Sequence, residues 1–524
     1  MMPVARRAAW GLAGLIVAAA FVLVPRLPDG PDIYVHLLWT QQTMTCMSYQ
    51  VPPVWLHDLN AGFGSPGIRL YSPGGPLIAG ALGLVFGEAG RGIRAALVIA
   101  IAGLAFAVAR RERCWVGVCG FVLAAPIVIH SFAHRGAFAE LLAVPAAWWV
   151  LEVAIAGDPR PVREGLVLAA LWLLHAPTML MVAVVTAGLA FGRHARNELE
   201  SWAAASMMAA GLTAWHWMPL ADEMKMIGNR EALVGGIFVA GRNVLSSASA
   251  HAAEQNGWLA WCAVGLLAAS LAGRWWRDGW PRLIAIAACI ALASPLALPV
   301  WRLNSPPGML QFPWRLLLPA ALLAAATLAR GLGRGSGRLA ASLALAPITL
   351  APLPGLVSDA GLRAGMPWQE MGGAVRQAFG GSPWVVDATQ NRRPSFSGLA
   401  AALAAMGERR VIVTSPESSA EVRSWTPLVR VVDIETAQPA VMTFRLLGYW
   451  FWCGELDGRP VALRSQAGAT RVEVPAGRHR VVVRWAGNPW SKVGQAVAGV
   501  TLAAVLMIVG GRRRLNGKSF EEAH

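Results

Sequence analysis

Short arginine clusters alternate with apolar runs along most of this chain, and that alternation constrains the fold more than any single motif. The clusters are Arg110, Arg111 and Arg113; Arg160 and Arg163; Arg193 and Arg196; Arg274 and Arg277; Arg330, Arg334 and Arg338; and Arg512 to Arg514. Between them lie apolar runs near 8–24, 92–109, 115–129, 141–156, 165–174, 178–191, 202–217, 258–273, 283–298, 316–329, 339–352 and 493–509. Basic residues gathered at the ends of apolar runs mark the cytoplasmic side of a bilayer. The pattern predicts a polytopic α-helical membrane protein with about twelve transmembrane helices. Composition agrees, with 56% of the 524 residues hydrophobic and 14% charged, against about 25% charged in soluble domains. The net charge of +16 is spread as loop clusters rather than gathered into one basic surface, which excludes nucleic acid as a partner and leaves the lipid bilayer.

The first run follows Arg6 and Arg7 and leads into Val24-Pro25-Arg26-Leu27-Pro28, without a small-x-small cleavage site. It reads as an uncleaved anchor with a cytoplasmic N-terminus. The stretch 76–86 is too short to span and would invert every later arginine cluster if it did. It is expected as a juxtamembrane helix inside one long extracytoplasmic loop, 26–91. Residues 1–353 thus form the transmembrane domain. Composition turns polar over 354–490, with strand-like runs at 411–414, 428–433, 441–447, 461–465, 470–474 and 479–485 and turns at Asp457-Gly458 and Pro475-Ala476-Gly477. These predict an extracytoplasmic domain, α/β and then a β-sandwich. Residues 491–524 supply a final transmembrane helix and a cytoplasmic tail. The six cysteines show no CxxC spacing; Cys46 and Cys453, both expected outside the cytoplasm, either pair or stay free.

Several short motifs follow one another between these spans. They are Asp32-x-x-x-His36; Pro53-x-Trp55 with Asn60-Ala61-Gly62-Phe63-Gly64-Ser65-Pro66; Tyr71-Ser72-Pro73-Gly74-Gly75-Pro76-Leu77; and Arg135-Gly136-Ala137-Phe138-Ala139-Glu140. His175-Ala176-Pro177-Thr178, Trp215-His216-Trp217-Met218-Pro219-Leu220 and Gln311-Phe312-Pro313-Trp314-Arg315 complete the series, ahead of Leu456-Asp457-Gly458-Arg459-Pro460-Val461 and Pro475-Ala476-Gly477 in the β-rich part. In this order the chain resembles the membrane protein family labelled "6-pyruvoyl-tetrahydropterin-synthase-related", within the GT-C superfamily of lipid-phosphosugar glycosyltransferases. It departs from relatives at Tyr71-Ser72-Pro73-Gly74-Gly75, where a Tyr-Pro-Pro-Leu type sequence is usual. The pterin-synthase label carries no activity here, since no set of three zinc-liganding histidines in a compact soluble fold is evident.

The resemblance implies a GT-C-like fold and a glycosyltransferase of the bacterial inner membrane, multi-pass, with both termini cytoplasmic. Such an enzyme moves a sugar from a polyprenyl-phosphate carrier to an extracytoplasmic acceptor, whether envelope glycan, lipid or protein. Asp32 matches the family position of the general base; its other reading is a helix N-cap. His36, one helical turn on, either steadies Asp32, helps hold a metal or simply bonds to backbone at the interface. Arg135 and Arg315 are candidates for the lipid phosphate, with loop pairing and snorkelling as their structural readings. Glu140 suits a sugar hydroxyl or a metal, Trp217 a sugar face, and Tyr71 joins them through its motif. No cofactor is required, and His36, His134 and Glu140 are candidate ligands for a divalent metal. Asp222, Glu223 and Lys225 are expected at the acceptor entrance. The alternative function is a non-catalytic membrane protein that binds or moves a lipid-linked glycan. A transporter is disfavoured, because the spans are poor in acidic residues.

Overall fold

The computed structural model describes residues 31–60, 62–109, 122, 125–129, 131, 136–193, 195–223, 280–301, 313–332, 404–466 and 468–521. Helix α1 (Pro31–Ser48) opens with a proline and an acid in its first turn, both favoured there by fixed φ and by the helix dipole. After a loop, α2 (Gly74–Phe86) ends on left-handed Gly87 and turns directly into α3 (Ala89–Ala109). The two pack so closely at Gly92 that a Cβ there would lie 2.1 Å from the Ala79 carbonyl oxygen. Helices α4 (Phe138–Ala156), α5 (Pro161–Gly192), α6 (Arg196–Leu212), α7 (Ala214–Glu223), α8 (Trp280–Ala293), α9 (Leu317–Leu332) and α10 (Pro489–Glu521) follow.

Four helical stretches among the described residues are long and apolar enough to cross a membrane: Ala89–Val108, Phe138–Ala156, Pro161–Gly192 and Pro489–Gly511. The chain is a membrane protein. The last span carries its apolar side chains outward, with Val500, Leu506 and Met507 exposed, as a lipid-facing helix must. The α4, α5 and α9 helices share an interior of Trp148, Leu151, Leu171, Val182 and the run Ala320 to Ala326.

The helices differ from the sequence expectation in three places. The runs 165–174 and 178–191 are one helix, α5, bent where His175 leaves helical geometry at φ −159° and ψ 92°. Pro177 cannot donate to the Leu173 carbonyl, so the ladder opens without the chain turning back. The run 202–217 is broken at Thr213 between α6 and α7. The run 283–298 bends by 74° after Ala293, where Ser294 caps a new 3-10 turn starting at Pro295. The runs 8–24, 258–273 and 339–352 lie outside the described residues, so about twelve spans remains an expectation. The 76–86 stretch is α2, shorter than a span and apolar.

The C-terminal region is a β-sandwich of two antiparallel sheets around one core. Its strands are β1 (Val411–Val413), β2 (Ser419–Trp425), β3 (Val429–Thr436), β4 (Ala440–Leu447), β5 (Trp452–Leu456), β6 (Arg459–Val461), β7 (Arg464–Gln466), β8 (Ala469–Val474) and β9 (Gly477–Trp485). One sheet runs β1-β4-β8-β7 and the other β2-β3-β9-β5-β6. Val432, Ile434, Val481 and Val483 face Met442, Phe444, Val472 and Val474 across the interior. The sequence reading missed β2, whose side chains are largely polar and exposed, and β5, interrupted by Gly454. Cys46 is a free, buried thiol and Cys453 a free, exposed one, so the two do not pair. The Cys46 thiol donates to the Trp55 carbonyl at 3.6 Å.

Candidate active site

The loop between α1 and α2 has two halves with different neighbours. Its first half plugs into the sandwich. Trp55 and Phe63 join the sandwich core, and the Leu447 N–H donates to the Phe63 carbonyl at 2.7 Å. Trp55 is fully buried, with ring centroids 5.3 Å from Trp452, 5.4 Å from Trp485 and 5.5 Å from Tyr449. Gly64, at φ +83°, is held to glycine twice over, because a Cβ would stand 2.1 Å from the Trp55 indole nitrogen. The Asn60-to-Pro66 motif is therefore a structural plug.

The second half of the loop returns to the helices. A 3-10 turn, Gly67–Leu70, places Arg69 in an ion pair with fully buried Glu223 and over the Trp485 ring at 5.5 Å. The Tyr449 hydroxyl donates to the other Glu223 oxygen at 2.8 Å, and the Asn488 amide donates to Glu223 at 3.0 Å and Asp222 at 3.1 Å. Burial and the carboxylate beside it push the Tyr449 phenol up, so it stays a donor. Glu223, expected at an open entrance, is instead enclosed at this junction.

Two residues beyond Arg69, Tyr71 enters a cluster built from four helices. His36 is buried, with its ring centroid 5.6 Å from Phe138, 5.9 Å from Trp39 and 6.2 Å from Tyr71. Tyr71 lies 5.5 Å from Trp39 and 6.1 Å from His175. The Trp172 indole donates to His216 Nδ1 at 3.1 Å. That leaves the proton of a neutral imidazole on Nε2, which donates to the Tyr71 carbonyl at 2.9 Å. In the same way His175 Nδ1 accepts from the Thr178 N–H at 3.3 Å, so its neutral form carries the proton on Nε2.

The bend in α5 is where this segment docks. The Ala176 N–H, released from the helix ladder, donates to Ser72 Oγ at 2.8 Å. A Cβ on Gly74 would stand 2.8 Å from the freed Leu173 carbonyl oxygen. Ser72 and Gly74 thus place a hydroxyl and a bare backbone against an opened helix turn.

Asp32 is half-buried in the first turn of α1, one turn before His36. Gly136, at φ +64°, lies against its neighbour Ile33, where a Cβ would come within 2.5 Å of the Ile33 Cβ. From there Phe138 reaches His36, and buried Glu140 takes the Ser131 hydroxyl at 3.0 Å and Arg315 Nε at 3.7 Å. Arg315 is itself only 9% exposed and pairs with this carboxylate. Trp217 faces outward, 36% exposed, and donates its indole N–H to the Ala210 carbonyl at 2.7 Å, while its neighbour His216 serves the cluster. Arg135 and His134 lie outside the described residues. Among those described, no three His, Cys, Asp or Glu side chains are grouped to hold a metal; Glu140 is committed to Ser131 and Arg315, and His36 is ringed by aromatics.

Sequence reasoning did not single out Trp39 or Trp172, and it quoted Ser72 only within the Tyr71 motif. The signal for Trp39 was faint: it falls one turn beyond Asp32-x-x-x-His36. No family model and no curated protein matches the chain. Among solved structures it is similar to the arabinofuranosyltransferase AftD from Mycobacteria, with a TM-score of 0.40 and 15% identity over 65% of this chain. The alignment covers 26% of AftD, so the match spans about a quarter of that protein's length.

Proposed function

We propose that the protein is a GT-C-type glycosyltransferase of the bacterial inner membrane. It transfers a sugar from a polyprenyl-phosphate carrier to an extracytoplasmic acceptor, with Asp32 as general base. One observation carries this reading. Residues of α1, α4, α5 and the Tyr71 segment meet around His36 and Tyr71, His216 of α7 holds the Tyr71 carbonyl, and the buried Glu140–Arg315 pair starts two residues after Phe138.

The chemistry needs a proton acceptor and a site for a leaving phosphate. As the acceptor oxygen bonds to the anomeric carbon, Asp32 takes the hydroxyl proton and the carbon–oxygen bond to the lipid phosphate breaks with its electron pair. The charge gathering on the departing phosphate falls to Arg315, which a phosphate would share with Glu140. Tyr71 and Trp39, both partly exposed, offer aromatic faces for packing against sugar rings. A divalent metal on His36, His134 and Glu140 would need the present partners of Glu140 to give way, so no step here uses one.

The test is Asp32→Asn at wild-type abundance, read by profiling lipid carriers and envelope glycans. A general base contributes about 10²–10⁴-fold, so product should fall by that factor while unused lipid-linked sugar accumulates. Undiminished product would remove Asp32 as the base. Undiminished product together with retained binding of the lipid-linked glycan would favour the non-catalytic carrier reading instead.

A further inference from the structure

Arg69 and Tyr71 are two residues apart, yet one is bound by the sandwich junction and the other forms part of the histidine cluster. Both are held from the same helix. Glu223 takes Arg69 and His216 takes the Tyr71 carbonyl, and these are seven residues apart on α7, two turns along one face. The sandwich reaches the same point from above, with Trp485 under the Arg69 guanidinium and the Tyr449 hydroxyl on Glu223. Trp485 and Tyr449 are themselves stacked, 5.8 Å apart and 16° from parallel. The last membrane helix closes the frame. A Cβ on Gly494 would stand 2.3 Å from the Ala214 carbonyl oxygen, and Asn488 just before α10 binds Glu223 and the Pro219 carbonyl.

Burying an arginine–glutamate pair rarely adds stability over an apolar filling of the same shape, because both ions lose their water. What such a pair supplies is a unique register. Here the register concerns the three-residue stretch Leu70-Tyr71-Ser72, which has the sandwich frame at one end and the opened turn of α5 at the other. Along that stretch Tyr71 meets His36, Trp39 and His175, and Ser72 receives the Ala176 N–H.

We propose that Glu223 and Tyr449 are positioning residues for the candidate site: through Arg69 they hold Tyr71 and Ser72 against His36 and the α5 bend. The site is then complete only when the sandwich is docked, and a ligand that shifts the sandwich changes the site. This rests on the glycosyl-transfer reading only for its effect on turnover; the positioning itself is a property of the structure.

The test uses the full chain in lipid nanodiscs and amide hydrogen exchange. Tyr449→Phe removes one hydroxyl and keeps the stacked ring. Exchange at Ala176, whose N–H is held by Ser72, and across residues 69–72 should quicken by roughly tenfold, as losing one buried hydrogen bond allows. Exchange in β3 and β9 should not change. Glu223→Gln, which keeps an oxygen for Tyr449 and gives up the charge on Arg69, should act on the same amides. Unchanged exchange at Ala176 and 69–72 in both variants would overturn the proposal. So would faster exchange throughout the sandwich, since that reports a loss of folding rather than of register. Where transfer is measurable, kcat should fall with little change in the KM for the lipid donor. If Asp32→Asn leaves product intact while the exchange result stands, the function reading fails and the positioning survives.

Discussion

The sandwich junction and the histidine cluster are built from one loop, and both are aromatic and mostly enclosed, yet they follow opposite rules. At the junction, indoles pack on one another and the single buried carboxylate is saturated by Arg69, Tyr449 and Asn488. In the cluster, His36 lies edge-on to Trp39 and Phe138, and the tautomers of His216 and His175 are set by bonds from Trp172 and Thr178. The first arrangement resists change because both carboxylate oxygens of buried Glu223 have partners. The second gathers aromatic rings and imidazoles one helical turn from half-buried Asp32. The lesson is that the loop's most conspicuous motif, Pro53 to Pro66, is the structural half. The less conspicuous Tyr71-Ser72-Pro73 is the half that meets the candidate chemistry.

Substitutions can break that division. Trp55→Ala should cost the most stability, about 3–5 kcal/mol for a buried aromatic, seen as a lower melting temperature of the purified protein in detergent. Asp32→Asn should leave that melting temperature alone, and a matching drop would make Asp32 structural too. Gly64→Ala should come next at about 2–3 kcal/mol, because it adds both a clash with Trp55 and an unfavourable φ. Ser72→Ala is smaller, about 1 kcal/mol, from leaving the Ala176 N–H without its acceptor. Its effect on transfer should exceed its effect on melting if the second half of the loop serves the site.

The smallest effect is one of pH and belongs to the sandwich alone. His479 Nδ1 and Asp457 form a surface pair at 2.7 Å. That bond raises the His479 pKa, and the Arg480 backbone N–H and His479 lower that of Asp457. The histidine contribution is full below its unfolded pKa of about 6.5 and is lost as pH rises through the raised folded value. The aspartate contribution is full above its unfolded pKa of about 3.9 and is lost as pH falls through the lowered folded value. Sandwich stability should therefore decline slightly as pH rises above neutral, by no more than about 1 kcal/mol for so exposed a pair. His479→Gln should flatten that part of the melting profile.

Much of this organisation was legible in the residues. Hydropathy located α3, α4 and the apolar part of α10, Pro489–Gly511, to within a few residues, because burial in lipid demands long apolar runs whatever surrounds them. Alternation marked β3, β4, β8 and β9, whose inward faces must be apolar. The failures share a cause. The runs 165–174 and 178–191 are joined across the kink at His175, where Ser72 from a distant segment takes the released Ala176 N–H. Edge strand β2 has little buried face to report itself. Glu223 looked like an entrance residue because its partners, Arg69, Tyr449 and Asn488, come from distant parts of the chain.

Local chemistry was enough to say that this is a membrane protein with a β-rich C-terminal region, and to nominate Asp32, His36, Tyr71, Glu140 and Arg315. Periodicity, charge and turn residues act within a few neighbours, and those statements need no more. Which residues meet depended on packing between elements up to some hundreds of positions apart. Packing made Glu140 the partner of Arg315, sent Trp55 into the sandwich and Trp217 outward, and tied Tyr71 to His216 and Ser72 to the bend of α5. Such pairings are decided by shape and by the need to satisfy every buried polar group, and neither is written in any single stretch of the chain.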